Sequence, residues 1–211
     1  MIRVKVCGMT SPDNVTDIAE AKPDYMGFIF YPGSKRYVGG NPENSLFNNV
    51  SAGIKRVGVF INEDNHKILN SSINKGLDMI QLHGEESPFS CLQLKSSGMI
   101  VVKTFSIGEE FNFEILSKYM PGCDYFLFDT KSETPGGSGK KFNWDRLEGY
   151  SLDKPFFLSG GIGPEDSDLI RTLSNKGLFA VDINSRFETA PGIKDPVVVK
   201  TFIEEIKNDE Q

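Results

Sequence analysis

The sequence has few of the residues that build metal sites and disulfide frameworks. Its 211 residues include three cysteines, Cys7, Cys91 and Cys123, and two histidines, His66 and His83. The cysteines lack metal-type spacing, and an odd number of them without a secretory signal is typical of reduced thiols. Two histidines offer little for a histidine-based metal site. We therefore expect neither a structural metal nor a disulfide framework.

Long apolar runs and an excess of positive charge are also lacking. No stretch approaches the ~20 apolar residues of a membrane-spanning helix. The N-terminus enters a strand pattern at once instead of presenting a basic region and an apolar signal core. A net charge of −6 opposes binding to a broad nucleic-acid surface or an anionic membrane. We expect a cytoplasmic protein with neither kind of partner.

What the sequence does contain is eight short runs rich in β-branched and aromatic residues. Segments with helix-start signals, such as Thr10-Ser11-Pro12 and Gly163-Pro164-Glu165, lie between most of them. Alternating strands and helices predict a parallel sheet. The predicted strands are Ile2–Cys7, Tyr25–Phe30, Ile54–Ile61, Asp78–Leu82, Met99–Phe105, Tyr125–Asp129, Pro155–Ser159 and Leu178–Ile183.

The number of these units distinguishes between two α/β folds. Eight strands followed by a helix-like segment, Pro196–Lys207, favour a closed (β/α)₈ TIM barrel over a doubly wound open sheet. The chain is shorter than the ~250 residues usual for this barrel, so its loops must be trimmed. We predict one catalytic domain spanning residues 1–211.

Glycine-rich and polar loops follow several of the strands and, in a barrel, emerge at the end where active sites are built. These loops are Tyr31–Gly40, Thr130–Lys141, Gly160–Gly163 and Asn184–Lys194. The segment Pro135–Lys140 lacks the spacing of a nucleotide-binding loop. We interpret it as a mobile lid beside Asp129.

Cys7 ends the first strand and is the first candidate for chemistry. The period of a strand places Arg3, Lys5 and Cys7 on one face, and Val4 and Val6 on the face that packs against helices. Lys5 below Cys7 would favour the reactive thiolate. A small buried thiol without a function is the alternative interpretation.

Asp129 and Asp182 lie at or near the ends of otherwise apolar strands. A carboxylate there is costly unless it meets solvent, substrate or a fixed partner. Both are therefore acid or base candidates. Each could instead accept backbone hydrogen bonds from the following loop, and periodicity does not decide between these roles.

Four further positions could bind an anionic substrate. Gly160-Gly161 after strand seven and Asn184-Ser185 after strand eight occupy the places where barrels commonly bind phosphate through backbone amides. Arg36, after strand two, could grip a planar carboxylate, or could be solvated as most loop arginines are. His83 could line the mouth, or could be held there only by packing and one hydrogen bond.

Taken together and in this order, these residues resemble the phosphoribosylanthranilate isomerase family of tryptophan biosynthesis, and the resemblance covers almost the whole chain. The motifs that carry it are Lys5-Val6-Cys7-Gly8-Met9-Thr10, Ser34-Lys35-Arg36-Tyr37-Val38, Gln81-Leu82-His83-Gly84, Phe128-Asp129-Thr130, Gly136-Gly137-Ser138-Gly139, Leu158-Ser159-Gly160-Gly161-Ile162 and Pro191-Gly192-Ile193-Lys194-Asp195.

The resemblance implies an aldose–ketose isomerase that performs an Amadori rearrangement of N-(5′-phosphoribosyl)anthranilate. Asp129 matches the general acid that protonates the furanose oxygen, and Cys7 matches the base that removes the C2′ proton. The substrate iminium is the electron sink, so the resemblance implies no cofactor and no metal. The expected partner is a small phosphosugar, and we expect a monomer, with a homodimer as the alternative.

The resemblance also assigns binding roles. It implies that Arg36 holds the anthranilate carboxylate, that His83 and Asp182 bind and position the substrate, and that the loops bearing Gly160-Gly161 and Asn184-Ser185 hold the phosphate.

One position departs from the family pattern. The family usually has glycine where this chain has Arg186, which could add a cation near the phosphate; we favour a side chain that points to solvent.

Two other functions compete with the isomerase. One is a related phosphosugar isomerase of histidine biosynthesis, which uses a pair of aspartates and is disfavoured by Cys7. The other is a catalytically silent phosphosugar-binding protein, which intact Cys7, Asp129 and Arg36 disfavour.

Overall fold

Eight parallel strands close into a barrel in the computed structural model, which describes residues 1–130, 141–173 and 177–208. The strands pair in chain order, and β8 returns to β1. This confirms the predicted TIM barrel and excludes the open sheet. The strands are β1 (Arg3–Cys7), β2 (Tyr25–Ile29), β3 (Lys55–Phe60), β4 (Met79–Leu82), β5 (Ile100–Ile107), β6 (Tyr125–Thr130), β7 (Phe156–Leu158) and β8 (Leu178–Ile183).

Helices cover the outside of the barrel, and several begin at the residues that the sequence marks. The Ser11 side chain accepts a hydrogen bond from the Asn14 amide ahead of Pro12, and Asp195 caps the last helix in the same way. The helices are α1 (Pro12–Glu20), α2 (Ser45–Asn48), α3 (Asn65–Lys75), α4 (Pro88–Ser96), α5 (Ser167–Thr172) and α6 (Pro196–Lys207).

Short 3₁₀ segments replace two of the expected helices. Phe113–Tyr119 connects β5 to β6, and Trp144–Gly149 lies in the described part of the connection from β6 to β7. A third, Pro164–Asp166, precedes α5. These segments shorten the connections, as a chain of this length requires. The described residues contain no helix long and apolar enough to cross a membrane.

The predicted faces of β1 are confirmed. Val4 and Val6 are fully buried between the barrel and its helices. Arg3 points into the amino end of the barrel, where its guanidinium lies 4.3 Å from the centre of the Phe179 ring. That end is filled by an apolar floor, which consists of Tyr25, Val57, Met79, Val102, Leu127, Phe157 and Ala180.

A small antiparallel hairpin follows β8 at the carboxyl end of the barrel. A 3₁₀ turn at Ser185–Phe187 leads into β9 (Glu188–Ala190), which pairs with β10 (Ile193–Lys194). The Asn14 side chain of α1 holds the backbone of Lys194 through two hydrogen bonds of 2.9 and 2.8 Å. The hairpin therefore brings two charged side chains, Glu188 and Lys194, toward the barrel mouth.

Candidate active site

Cys7 lies at the carboxyl end of β1 beside a buried ion pair. The Lys5 ammonium donates to Asp182 Oδ2 at 2.7 Å, because Lys5 and Asp182 are paired across the β1–β8 register. The positive charge of Lys5 also acts on the neighbouring Cys7 thiol. Gly27 of β2 makes room for both side chains, since a Cβ there would lie 2.7 Å from Cys7 Sγ and 3.1 Å from Lys5 Cε.

Burial controls the protonation of Cys7 in the free protein. Burial raises the pKa of the Cys7 thiol, and Asp182 adds to the rise, while the positive charges of Lys5 and Lys194 lower it. The net direction is upward. Lys5 thus acts in the direction that the sequence predicts, but it does not outweigh desolvation before a substrate binds.

The ion pair itself is charged. Burial acts to lower the pKa of Lys5, but the attraction of Asp182 and Cys7 outweighs it and the pKa of Lys5 is raised. Burial raises the pKa of Asp182 despite Lys5. We take the 2.7 Å pair as ionised, because the ammonium stays protonated and donates directly to the carboxylate. Asp182 Oδ1 has no hydrogen-bond partner among the described residues.

Asp129 is the next-to-last residue of β6, on the opposite side of the mouth, and contacts His83. His83 Nε2 lies 3.3 Å from Asp129 Oδ2, and the Thr130 amide donates to Asp129 Oδ1 at 2.8 Å. Both Asp129 and His83 are partly exposed, with side-chain exposures of 16%. The structure thus brings the predicted acid and the predicted mouth histidine together.

The loop after β7 packs tightly against Asp129. Gly160 has φ +92° and Gly161 has φ +67°, a region of backbone conformation that favours glycine. A Cβ on Gly160 would lie 2.8 Å from Asp129 Oδ1 and 2.2 Å from Thr130 Oγ1. Backbone rather than side chain therefore faces the mouth here, as a phosphate site built from amides requires.

Arg36 is held by a carboxylate that the sequence analysis did not identify. Its Nε donates to Glu188 Oε1 at 2.7 Å and its Nη2 donates to Glu188 Oε2 at 2.6 Å. The buried Lys194 ammonium also binds Glu188, and it donates to Asn184 Oδ1 at 2.7 Å. Burial alone would raise the pKa of Glu188, but Arg36 and Lys194 lower it below its usual value.

The remaining predicted residues lie around this cluster. The Asn184 side chain turns toward Lys194, and Ser185 begins the 3₁₀ turn after β8. Arg186 is more than a third exposed and its Nη1 lies 2.8 Å from Glu165 Oε1. The lid interpretation of Pro135–Lys140 concerns residues outside the described ranges.

Sequence reasoning missed three residues of the site: Gln81, Glu188 and Lys194. Gln81 donates from Nε2 to His83 Nδ1 at 3.0 Å and accepts from Lys5 at 2.8 Å. Its signal was present, because it is a lone polar residue in an apolar strand and stands two residues before His83. Within the described ranges, no three His, Cys, Asp or Glu side chains form a group that could hold a metal ion.

Comparison with known proteins identifies the same family throughout the chain. Residues 4–205 match the family model described as N-(5′-phosphoribosyl)anthranilate (PRA) isomerase. The N-(5′-phosphoribosyl)anthranilate isomerase of Phocaeicola vulgatus is 45% identical over 204 residues, which cover 97% of each chain.

Two solved structures extend the match to the fold. Phosphoribosyl anthranilate isomerase from Thermotoga maritima superposes with a TM-score of 0.84 at 34% identity, covering 98% of this chain and 99% of the other. A phosphoribosyl anthranilate isomerase in complex with reduced 1-(o-carboxyphenylamino)-1-deoxyribulose 5-phosphate gives 0.81 at 32% identity, with the same coverage. The chain belongs to the N-(5′-phosphoribosyl)anthranilate isomerase family.

Proposed function

We propose that the protein converts N-(5′-phosphoribosyl)anthranilate to 1-(2-carboxyphenylamino)-1-deoxyribulose 5-phosphate, an Amadori rearrangement of L-tryptophan biosynthesis. The observation that carries the proposal is the pair of groups at the barrel mouth. Cys7 ends β1, and Asp129 is the next-to-last residue of β6. Lys5, Gln81 and His83, which are hydrogen-bonded in that order, connect their surroundings, and His83 contacts Asp129. One thiol and one carboxyl group are what a cofactor-free aldose–ketose isomerisation needs.

In this mechanism Asp129 is the general acid and Cys7 is the general base. Asp129 gives a proton to the furanose oxygen, and the ring opens to a protonated Schiff base. Cys7 then takes the C2′ proton as a thiolate, and the electron pair of that bond neutralises the iminium nitrogen. The resulting enolamine becomes the aminoketone when C1′ gains a proton and the C2′ hydroxyl loses one. The substrate thus gains two protons and loses two, so product and substrate are isomers.

The substrate itself supplies the charge that Cys7 lacks in the free protein. The iminium places a positive charge close to C2′, and an opposite charge beside a thiol favours its ionised form. Lys5 and Lys194 act in the same direction. We therefore propose that Cys7 ionises in the complex rather than before binding.

The two anionic ends of the substrate orient the sugar between Cys7 and Asp129. Glu188 occupies the Nε–Nη2 edge of the Arg36 guanidinium, which leaves Nη1 for the anthranilate carboxylate. The backbone amides near Gly160, Gly161, Asn184 and Ser185 hold the phosphate. His83 lines the mouth, and Asp182 Oδ1, the unpartnered acceptor, takes a substrate hydroxyl. Such anchoring converts remote binding energy into placement of the reacting carbons.

The test supplies anthranilate and phosphoribosyl pyrophosphate with the transferase that joins them, and follows the product. Cys7→Ser and Asp129→Asn each lower kcat by about 10²- to 10⁴-fold while leaving the thermal transition in place. Cys91→Ser is the matched control, because it removes a buried thiol on α4 away from the mouth. Retained turnover in both site variants contradicts the assigned roles, and tight product binding without turnover by the unmodified protein indicates the silent binding protein.

We further propose that residues 1–211 act as one catalytic domain in the cytoplasm, as a monomer without nucleic-acid or membrane partners. Sedimentation equilibrium distinguishes this state from the homodimer.

A further inference from the structure

A row of polar side chains crosses the barrel mouth from the lysine beside the base to the acid. The Lys5 ammonium donates to Gln81 Oε1 at 2.8 Å, and Gln81 Nε2 lies 3.0 Å from His83 Nδ1. His83 Nε2 lies 3.3 Å from Asp129 Oδ2. Gln81 and His83 are two residues apart, so that both side chains point into the barrel from β4 and the loop that follows it.

The hydrogen-bond donors of Lys5 and Gln81 fix how the side chains of Gln81 and His83 are oriented. An ammonium group has hydrogens to donate and accepts nothing, so Gln81 must turn its oxygen toward Lys5. The Gln81 amide nitrogen, which is a donor, then faces His83 Nδ1, and Nδ1 must accept. The ring proton of His83 is therefore on Nε2, the nitrogen that lies 3.3 Å from Asp129 Oδ2.

We propose that Gln81 is a positioning residue that holds His83 neutral with its proton on Nε2, so that Asp129 faces a hydrogen-bond donor without a positive charge. The proposal rests on the proposed role of Asp129 as the general acid. Protonating Nδ1 would break the Gln81–His83 bond, and turning the amide to restore it would break the Lys5–Gln81 bond.

A neutral donor suits a group that must carry a proton to the substrate. An imidazolium beside Asp129 would form an ion pair with the carboxylate and hold it ionised. A neutral imidazole orients the carboxyl group without fixing its charge. The Thr130 amide occupies Oδ1, so the second lone pair of Oδ2 remains for the proton that is transferred.

The other charged groups near His83 are already paired. On the far side of Gln81, Lys5 of β1 binds Asp182 of β8 at 2.7 Å. On the near side, Lys103 of β5 lies 3.1 Å from Glu86 and donates to the carbonyl of Gly84 at 2.7 Å. Each pair is neutral overall, which leaves Asp129 as the single carboxyl group in direct contact with His83 among the described residues.

The ring of His83 can be observed directly, because the chain has one other histidine. His66 is exposed on α3, so a His66→Gln background leaves His83 as the only imidazole in a ¹⁵N–¹H correlation spectrum. At pH 8 we expect one protonated ring nitrogen, assigned to Nε2. A proton on Nδ1, or an imidazolium, overturns the proposal, and neither result depends on turnover.

Gln81→Glu replaces the donor that faces His83 with an acceptor, in a side chain of the same size. A glutamate accepts from Lys5 and also from His83, so Nδ1 gains a proton and His83 becomes an imidazolium. We expect the descending limb of the kcat profile to move to lower pH by about one unit or more. Gln93→Glu is the matched control. Gln93 is exposed on α4, so this substitution adds the same charge away from the mouth. An unmoved limb with an unchanged His83 spectrum overturns the proposal.

A second variant covers the case in which a buried glutamate prevents folding. Gln81→Met keeps the length of the side chain but neither accepts nor donates. We expect the Nδ1–H tautomer of His83 to appear beside the Nε2–H form, and the descending limb to move less than in Gln81→Glu. Spectra identical to those of the unmodified protein contradict the role of Gln81. Retained turnover in Asp129→Asn contradicts the proposed function instead, whatever the spectrum of His83.

Discussion

The lumen of the barrel consists of two layers with opposite chemistry. The apolar floor fills the amino end with aromatic and aliphatic side chains. One layer higher, three inward-facing residues form a polar layer, which consists of Lys5, Gln81 and Asp182. Both layers result from the alternation of side chains along the strands. Tyr25 of the floor and Lys5 of the polar layer are partners in the β1–β2 register, so both side chains point into the barrel.

The two layers contribute differently to the protein. Burying the floor removes apolar surface from water, which stabilises the fold. Burying the ion pair of the polar layer is costly, because desolvation of both charges offsets their attraction, and Asp182 Oδ1 remains without a partner among the described residues. Because the polar layer adds so little stability, we explain its presence by its contact with Cys7 and, through His83, with Asp129.

Lys5→Met is expected to have the largest effect in the polar layer. Lys5 lowers the pKa of Cys7, so its loss favours the thiol and moves the ascending limb of kcat/KM to higher pH. We expect kcat/KM at pH 7 to fall by about 10³-fold. Lys103→Met is the matched control, because it also removes a buried lysine that pairs with a carboxylate. An ascending limb at the same pH in both variants would show that Lys5 does not act on Cys7.

Leu127→Ala tests the floor. Leu127 is fully buried in the floor, and its truncation is expected to cost about 3 kcal/mol of unfolding free energy through lost burial and the cavity left behind. For a chain of this length this lowers Tm by roughly 6 to 12 °C. Well below Tm, kcat/KM is expected to stay within about threefold of the unmodified value, since no catalytic contact is lost. A large loss of kcat in the fully folded variant would mean that the floor also contributes to catalysis.

Glu188→Gln tests the charges that extend the polar layer to Arg36. The pKa of Glu188 is below its usual value of 4.5 when folded, so its contribution to stability is present above pH 4.5 and is lost as the pH falls through the lower, folded value. We expect a loss of about 2 kcal/mol at pH 7 that disappears in acid, measured by urea unfolding. KM is expected to rise, because Arg36 loses the group that orients it.

Glu63→Gln is the control for this variant, since Glu63 forms an exposed pair with Lys67 at 3.2 Å. We expect a change below about 0.5 kcal/mol. A loss in Glu188→Gln that is equally large at pH 3 would indicate a packing effect instead of a charge effect.

The fold could be predicted because its signals are local. Runs such as Tyr125–Asp129 are apolar and β-branched or aromatic over their whole length, as strands buried on both faces must be. The two 3₁₀ connections could not be predicted, since a 3₁₀ segment differs from an α-helix in its backbone hydrogen-bond partner and not in a long repeat of the sequence.

The position of a side chain at the mouth was predictable where it lies at or just after the end of a strand, as for Cys7, Asp129 and His83. The contacts of a side chain were not predictable where the partner is set by register or by a hairpin. Glu188 and Lys194 meet at Arg36 because β9 and β10 fold back after β8. Pro191-Gly192 indicates the turn between them but not which residue the hairpin contacts. The exact partner of Lys5 likewise depends on the β1–β8 register.

Arg186→Gln is expected to have the smallest effect, because Arg186 lies outside the polar layer. The Arg186 side chain is exposed to 38% and already pairs with Glu165, whose side chain is more than half exposed. Such a pair contributes less than about 1 kcal/mol, so we expect unfolding by urea to change little and KM to change by less than about threefold. Arg171→Gln, which breaks another solvent-exposed pair, with Asp168 on α5, is the control. A tenfold rise in KM confined to Arg186→Gln would place this arginine on the substrate phosphate and extend the functional charges beyond the barrel mouth.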